Sequence, residues 1–496
     1  MELNRRDVLG SGLAVLAGSV TGGVGLRPLE ARAGRQEPPT EEPKTYGAAL
    51  TGSGITTELA RFLSGMRYQD LSPQAVHEAR RAVLDWVGCA LAGSTHPTVN
   101  ILISTFEDFG SVPAATVLGR RGRRLSLLDA AVANGQMGHV LDFDDTHLGG
   151  VILHTSTATL PALFALGERR RSSGREVIVA LAAAFEAGIR VGQAATSHHL
   201  GGWHLTGTLG TIAAAAGSAR LLALDANQTT CALGIGCTQA AGMQQNRGSD
   251  CKSLHAGKSA YHGVLASTLA SRGFSSSPES LEGRLGFTTI FSATRRNEAI
   301  TAGLGRTWMI AGNGYKPYAC GVVLHPLIDA MIDVSRKAGR PAADIARVEA
   351  RVHPDVIRIT GIDTPNSGLM SKFSANHAAA VAYLDQAGGI AQFSNERSSD
   401  AAVQALRRRV MVTPDASLRL DESAVTVRTA SGATHQAHIA HATGTVDNPM
   451  ADDALRAKFL GNAGPVLGAD RARRIAETIA RLEMLDDIGD LVRACA

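Results

Sequence analysis

The sequence predicts a mainly α fold, in which a large all-helical domain is interrupted by a smaller α+β domain, and three observations carry that prediction. Small and apolar residues recur at helical spacing from about Thr56 to Arg272. Period-two alternation replaces that spacing at Arg347–Val352, Arg409–Thr413 and Ala424–Val427. Helical periodicity then returns after Pro449, so the last helices are expected to rejoin the first domain. With 496 residues, 44% hydrophobic and only 19% charged, the chain can bury a large core and is too long for a single compact unit.

Taken in order, the chain opens with Arg5-Arg6, an apolar, Gly-rich segment to about Leu26, and Ala31-Arg32-Ala33. This order of charge, apolar run and A-x-A site predicts a twin-arginine export signal over 1–33, and a periplasmic or extracellular protein with no stable membrane insertion after processing. Residues 34–50, rich in Glu, Pro and Gly, read as a flexible leader. The first part of the helical domain is expected at 51–311. Ser72-Pro73 supplies a cap and a first-turn proline, and Ala75, Val76, Ala79, Val83, Leu84, Val87 and Leu91 then recur at helical spacing up to Gly93. Further helices are expected at about 126–141, 156–170, 175–195, 207–223, 226–243 and 257–272. Residues 312–444 hold the alternating segments, with a helix at Asn376–Leu384 between them and a turn at Ala430-Ser-Gly432. They read as the inserted α+β domain. Residues 445–496 complete the helical domain.

Four stretches concentrate polar groups in this apolar chain. His139-Val-Leu-Asp-Phe-Asp-Asp-Thr-His-Leu-Gly-Gly-Val-Ile-Leu-His154 sets three carboxylates and three imidazoles at a helix end. An unpaired buried carboxylate costs several kcal/mol or neutralises, so such a run is either solvated or lines a polar pocket. Gly201-Gly-Trp-His-Leu-Thr-Gly-Thr-Leu-Gly210 leads into an Ala-rich helix whose first N–H groups suit an anion, with His204 at its mouth. Gly248–Gly257 brings Lys252 just before another helix. Tyr315–Pro326 brings Lys316 and Cys320 to the domain junction, and His325-Pro326 reads as the next helix start. Lysines can hold carboxylates, and a lysine depressed by burial can exchange a proton. Cys320 reads as a small buried residue rather than a nucleophile.

The same reading excludes several classes. The formal charge of +4 is dispersed without interleaved aromatics, which gives nucleic acid no footprint. The six cysteines contain no Cys-x-x-Cys pair, so a zinc knuckle or local iron–sulfur signature is not expected. No Walker loop, strand-coupled Gly-x-Gly-x-x-Gly or Gly-x-Ser-x-Gly elbow occurs. An alternative is a metal-dependent hydrolase with Asp142, Asp144, Asp145, His147 and His154 as ligands. A non-catalytic carboxylate-binding protein is another.

In their order, Leu141-Asp-Phe-Asp-Asp-Thr146, Gly202-Trp-His-Leu-Thr-Gly-Thr-Leu-Gly210, Lys252-Ser-Leu-His-Ala-Gly257 with Gly273-Phe274 and Leu281-Glu-Gly283, and Lys316-Pro-Tyr-Ala-Cys-Gly with His325-Pro326 resemble the MmgE/PrpD family. That family includes 2-methylcitrate dehydratase, cis-aconitate decarboxylase and iminodisuccinate epimerase. The resemblance spans about Thr56 to the C-terminus. It implies a helical domain with an α+β lid, a homodimer, and chemistry without a cofactor or metal on di- or tricarboxylates in the cleft. It also implies that Asp142, His154, His204 and Lys252 are catalytic, with Thr146, Lys252 and Lys316 binding substrate. Two departures stand out. The decarboxylase carries a histidine where this chain has Gly321, and a tyrosine near the helix that here begins Asn376-His377. The expectation is therefore a lyase of dehydratase type that removes a proton α to a carboxylate, with epimerisation as the alternative and decarboxylation less favoured. His204 and Asp142 are the expected acid/base pair, and His154 the alternative proton carrier.

Overall fold

The computed structural model describes residues 54–339 and 341–496, and helices make up most of them. The expected export signal (1–33) and leader (34–50) lie outside the described residues. Helix α1 spans Ile55–Gly65 and α2 spans Pro73–Gly93. The Ser72 side chain accepts from the Ala75 N–H, and Pro73 occupies the first helical position, where a missing N–H removes no helical bond. Ala75, Ala79, Val83, Val87 and Leu91 are fully enclosed, as their spacing predicts. Helix α3 (Pro97–Asp108) was not visible in the periodicity. Only Thr98, Val99 and Ile103 of it are buried, too few to leave an apolar stripe in the sequence.

A short hairpin joins β1 (Ala115–Thr116) to β2 (Arg124–Leu125). Then follow α4 (Leu127–His139), the two-residue β3 (Thr146–His147), α5 (Thr155–Arg170), α6 (Gly174–Ala194), α7 (Leu205–Leu221), α8 (Ala226–Gln239) and α9 (Asp250–Ser271). Every residue of α7 except Arg220 is buried, because α5, α6, α8 and α9 surround it. A helix that is apolar all round belongs at a centre of this kind. Helix α6 is long and apolar enough to cross a membrane by length and composition, and 89% of its apolar window is buried inside the structure.

Helix α9 begins at Asp250, seven residues before the expected start at 257. Gly257 looks like a boundary in sequence, but it is the point where α9 crosses α4. A Cβ on Gly135 would lie 2.6 Å from the Gly257 Cα, so the crossing admits no side chain there. Lys252 is therefore in the first turn of a helix and not in a loop before it.

After β4 (Asn313–Gly314), four strands form one sheet: β5 (Ile345–Val352), β6 (Val410–Pro414), β7 (Ser423–Thr429) and β8 (Thr434–Ile439), in the order β6-β5-β7-β8. The pair β5/β6 is parallel and needs a crossover, which runs through several helices including Ala375–Asp385. The other pairs are antiparallel, and Gly432 turns β7 into β8 with φ of +87°. In β7, Val425 and Val427 are buried while Arg428 is exposed, the alternation of a sheet covered on one face. The covering helices are His325–Ala338 and Ala375–Asp385. Val348, Val427, Leu327, Met331 and Val381 form an apolar cluster of their own, which also takes in Phe143. The C-terminal helices Asp452–Leu467, Ala469–Ala480 and Ile488–Ala494 pack on α2 and α5, with Phe459, Ile475 and Leu491 in the core of the helical part.

Candidate active site

Helix α4 stops at His139, and the chain turns sharply enough that Asp142 takes φ of +51°. That conformation costs a non-glycine residue about 1–3 kcal/mol, and surrounding contacts must hold it. The acidic loop is tethered to the stretch that delivers Lys316, because β3 pairs with β4 in the register Thr146 to Gly314 and His147 to Asn313. Two residues beyond β4, the Lys316 ammonium donates to Asp142 Oδ1 at 2.6 Å and to the carbonyls of Asp142 and Cys320 at 3.1 Å. Lys252, from α9, lies 3.3 Å from the same Oδ1. One carboxylate oxygen thus faces two buried ammonium groups.

The electrostatics follow from that sharing. Burial alone would raise the Asp142 carboxyl, but Lys252 and Lys316 outweigh it and hold the group well below the usual carboxylate range. Burial would lower Lys316, and Asp142 more than offsets this, so its ammonium is raised. Lys252 has the longer contact, and burial wins there: its ammonium is lowered. A third lysine, Lys372, donates to the carbonyls of Leu141 and Ala319 at 2.7 and 2.8 Å, and burial lowers it to about 8.

Three imidazoles stand beside these charges. His139 Nδ1 donates to Asp144, 2.9 Å from Oδ2. His154, the residue that starts α5, places Nδ1 2.9 Å from the Asp145 carbonyl, 3.2 Å from Asp144 Oδ2 and 3.1 Å from Thr146 Oγ1. The first two partners are acceptors, so Nδ1 carries a proton. His204 caps α7, and its Nδ1 lies 2.8 Å from Nδ1 of His255, so one ring donates and the other accepts. Burial, then Lys252, holds His204 well below the usual imidazole range. Burial brings His139 to about 3 and His255 to about 4. His139, His204 and His255 are therefore neutral at pH 7.

Beneath the loop, the Asp145 N–H donates to Asp85 Oδ2 at 2.8 Å. Lys458, from the C-terminal helix Asp452–Leu467, donates at 2.6 Å to Asp85 Oδ1 and to the Phe143 carbonyl, with its ammonium 4.0 Å above the Phe143 ring. Asp145 turns away from the site, accepting from Ser156 Oγ and, at 2.6 Å, from Asn313 Nδ2. Burial and then the Asp85 charge raise it well above the carboxylate range.

Asp142, His154, His204, Lys252 and Lys316 all line one cavity of about 60 Å³. Thr146 does not line it and stands behind His154, where its hydroxyl meets Nδ1. The five residues weighed as metal ligands do not form one ligand set. His147 bonds the Val151 and Met309 carbonyls, and Asp145 is committed to Ser156 and Asn313. Among the described residues, the groups whose ligand atoms lie within 4.8 Å of one another are His139, Asp144 and His154 at the site, and the partly exposed Asp421, His441 and Asp447 elsewhere. In the first, Asp144 already accepts from His139 and lies beside His154 Nδ1. Cys320 is buried, with its thiol pushed up by burial, as expected of a packing residue.

Sequence reasoning assigned no role to His139 or His255, although both stand inside stretches singled out for their polar groups. It also missed His199, Arg247 and Phe373, which line the cavity. Those three belong to no polar run and only the fold brings them in. Gly321 lines the cavity as well. A second hollow of about 400 Å³ adjoins it, sharing Ile152, Val322 and Val323 as a common wall.

The MmgE/PrpD N-terminal domain matches residues 57–299, and the MmgE/PrpD C-terminal domain matches residues 318–484. A cis-aconitate decarboxylase of Aspergillus terreus (strain NIH 2624 / FGSC A1156) is 28% identical over 475 residues, covering 89% of this chain and 95% of that protein. A cis-aconitate decarboxylase-like protein of Aspergillus oryzae, oryM, is 28% identical over 468 residues, 88% of this chain and 96% of the relative. The cis-aconitate decarboxylase of Homo sapiens is 26% identical over 453 residues, 87% of this chain and 92% of the relative.

Proposed function

The chain belongs to the MmgE/PrpD family, and from that premise we propose a lyase that removes a proton α to a carboxylate of a small di- or tricarboxylate and expels a β-hydroxyl. The observation that carries this reading is one cavity lined by both a neutral imidazole, His204, and the ammonium groups of Lys252 and Lys316. Ammonium groups hold the carboxylate and stabilise charge that develops on it as the C–H bond breaks. In the tautomer in which Nδ1 of His204 donates to His255, Nε2 keeps a lone pair and takes the proton. The C–H electrons become the new double bond, and the leaving hydroxide departs as water with a proton from Lys252, whose lowered affinity suits a donor. His154 is the second base, aligned by Asp144 and Thr146. Asp142 stays ionised and orients the two lysines; its low proton affinity suits that role better than the proton exchange expected from sequence.

A 60 Å³ cavity is far smaller than the roughly 300–1,000 Å³ of small-molecule sites. We take the α+β part, 312–444, as a lid that opens along the wall formed by Ile152, Val322 and Val323. A homodimer and twin-arginine export complete the proposal. Sedimentation equilibrium tests the first. Loss of export in an Arg5→Lys, Arg6→Lys variant tests the second.

Decarboxylation is the second reading, favoured by the names of the relatives. Here a C–C bond breaks, CO₂ leaves, and the carbanion takes a proton from Lys252. Incubation with α-deuterated 2-methylcitrate or citrate, and with cis-aconitate, separates the two: new alkene absorbance with loss of the substrate's α-deuterium to solvent marks dehydration, and CO₂ release marks decarboxylation. Dehydration should fall on the order of 10²–10⁴-fold in His204→Gln. Undiminished turnover in that variant refutes the assignment of the base.

A further inference from the structure

Three cations line the cavity, Lys252, Lys316 and Arg247, against a single carboxylate, Asp142. The two lysines share one oxygen of that carboxylate. Arg247 makes no direct contact with it and feels its charge only from a distance. Its guanidinium sits 3.5 Å from Nε2 of His199, and among the described residues it forms no ion pair with a carboxylate. His199 does not supply the missing charge, since burial and then Arg247 itself lower that imidazole to about 4. Nor does the neighbourhood: Arg358 is a like charge, already paired with Asp355 at 2.8 Å. A partly buried cation without a counter-ion is costly unless something supplies the anion.

Resting on the polycarboxylate reading above, we propose that Arg247 binds a second substrate carboxylate, remote from the carbon that loses its proton. The cavity then carries two unmatched positive charges, one in the lysine pair and one on Arg247. Its ligand is at least a dianion, and a monocarboxylate leaves Arg247 unpaired. The planar guanidinium suits a carboxylate because it can offer two parallel N–H donors, whereas each lysine acts as a point charge. Arg247 is thus the residue that separates di- and tricarboxylates from monoacids.

The test is calorimetric binding to the full chain of glutarate, of its monoamide and of propane-1,2,3-tricarboxylate. The wild type should bind glutarate on the order of tenfold to a hundredfold more tightly than the monoamide, the range of a charge-assisted hydrogen-bonded contact. Arg247→Gln should lose that preference with the monoamide affinity unchanged, and Arg247→Lys should keep part of it. Retained preference in Arg247→Gln overturns the assignment while leaving the polycarboxylate reading intact. Equal weakening of glutarate and the monoamide also overturns it, since Arg247 then supports the pocket as a whole. A wild type that binds neither glutarate nor the tricarboxylate refutes the underlying reading itself.

Discussion

Asp142→Asn tests the charge arrangement most directly. Asparagine has the same shape and tolerates positive φ, so the backbone at +51° is not the variable. What disappears is, among the described residues, the only carboxylate within ion-pairing distance of Lys316 and Lys252, residues 2% and 7% exposed. Removing one partner of a buried pair costs about 3–5 kcal/mol. An independent bound agrees. A stranded lysine can instead lose its proton, and neutralising an ammonium of pKa 10.4 at pH 7 costs about 5 kcal/mol at 1.36 kcal/mol per unit. Lys316→Met should cost less, because Asp142 keeps Lys252 at 3.3 Å. The double variant should cost less than the sum by about 0.5–3 kcal/mol, as expected of residues in contact. The measurement is urea unfolding of the four proteins. A pH series adds a sign. In Asp142→Asn the lysine pKa falls below its unfolded value, so the unfolded chain binds more protons, and the deficit should shrink from pH 7 to pH 9. A deficit under about 1 kcal/mol, a larger loss in Lys316→Met, or strict additivity would refute the reasoning.

Three further outcomes are expected. The imidazoles of His139 and His325, each brought to about 3 mainly by burial, stay neutral in the fold while the unfolded chain protonates near 6.5. Stability is therefore lost as pH falls below about 6.5, by up to about 1.4 kcal/mol per unit for each, while the raised carboxyl of Asp145 acts in the opposite direction; a urea midpoint no lower at pH 5.5 than at pH 7.5 contradicts this. Gly135→Ala should lower stability by about 1–3 kcal/mol, because the new methyl group meets backbone in α9 that cannot step aside. Lys458→Met strands the Asp85 carboxylate and releases the Phe143 carbonyl. It should destabilise by about 3–5 kcal/mol and lower turnover, while a neutral effect on both would show that the acidic loop holds itself.

The site was legible in proportion to how local its signals were. Asp142, His154, His204, Lys252 and Lys316 each stand in a run whose polarity contradicts the apolar chain around it, so folding alone did not account for them. His255 and His139 were in view inside those same runs, but a pairing such as the 2.8 Å contact between His204 and His255 spans 51 positions and leaves no spacing to read. Arg247 and His199 come from no such run. Gly257 was misread for a related reason: in sequence it resembles a helix boundary, and only the partner helix shows it as a crossing point.

The sequence by itself determined the long core helices and the alternating strands, though not α3 or the start of α9, because backbone hydrogen bonding and one-sided burial impose their periods within a few turns. It also determined which residues were too polar for a core. Only the tertiary structure decided that one oxygen of Asp142 serves two lysines, that Thr146 backs His154 without lining the cavity, and that Arg247 pairs with no carboxylate among the described residues. Charge and proton affinity depend on distance and burial in three dimensions, and the helix crossings and the two-residue pairing of β3 with β4 set both between residues more than a hundred positions apart.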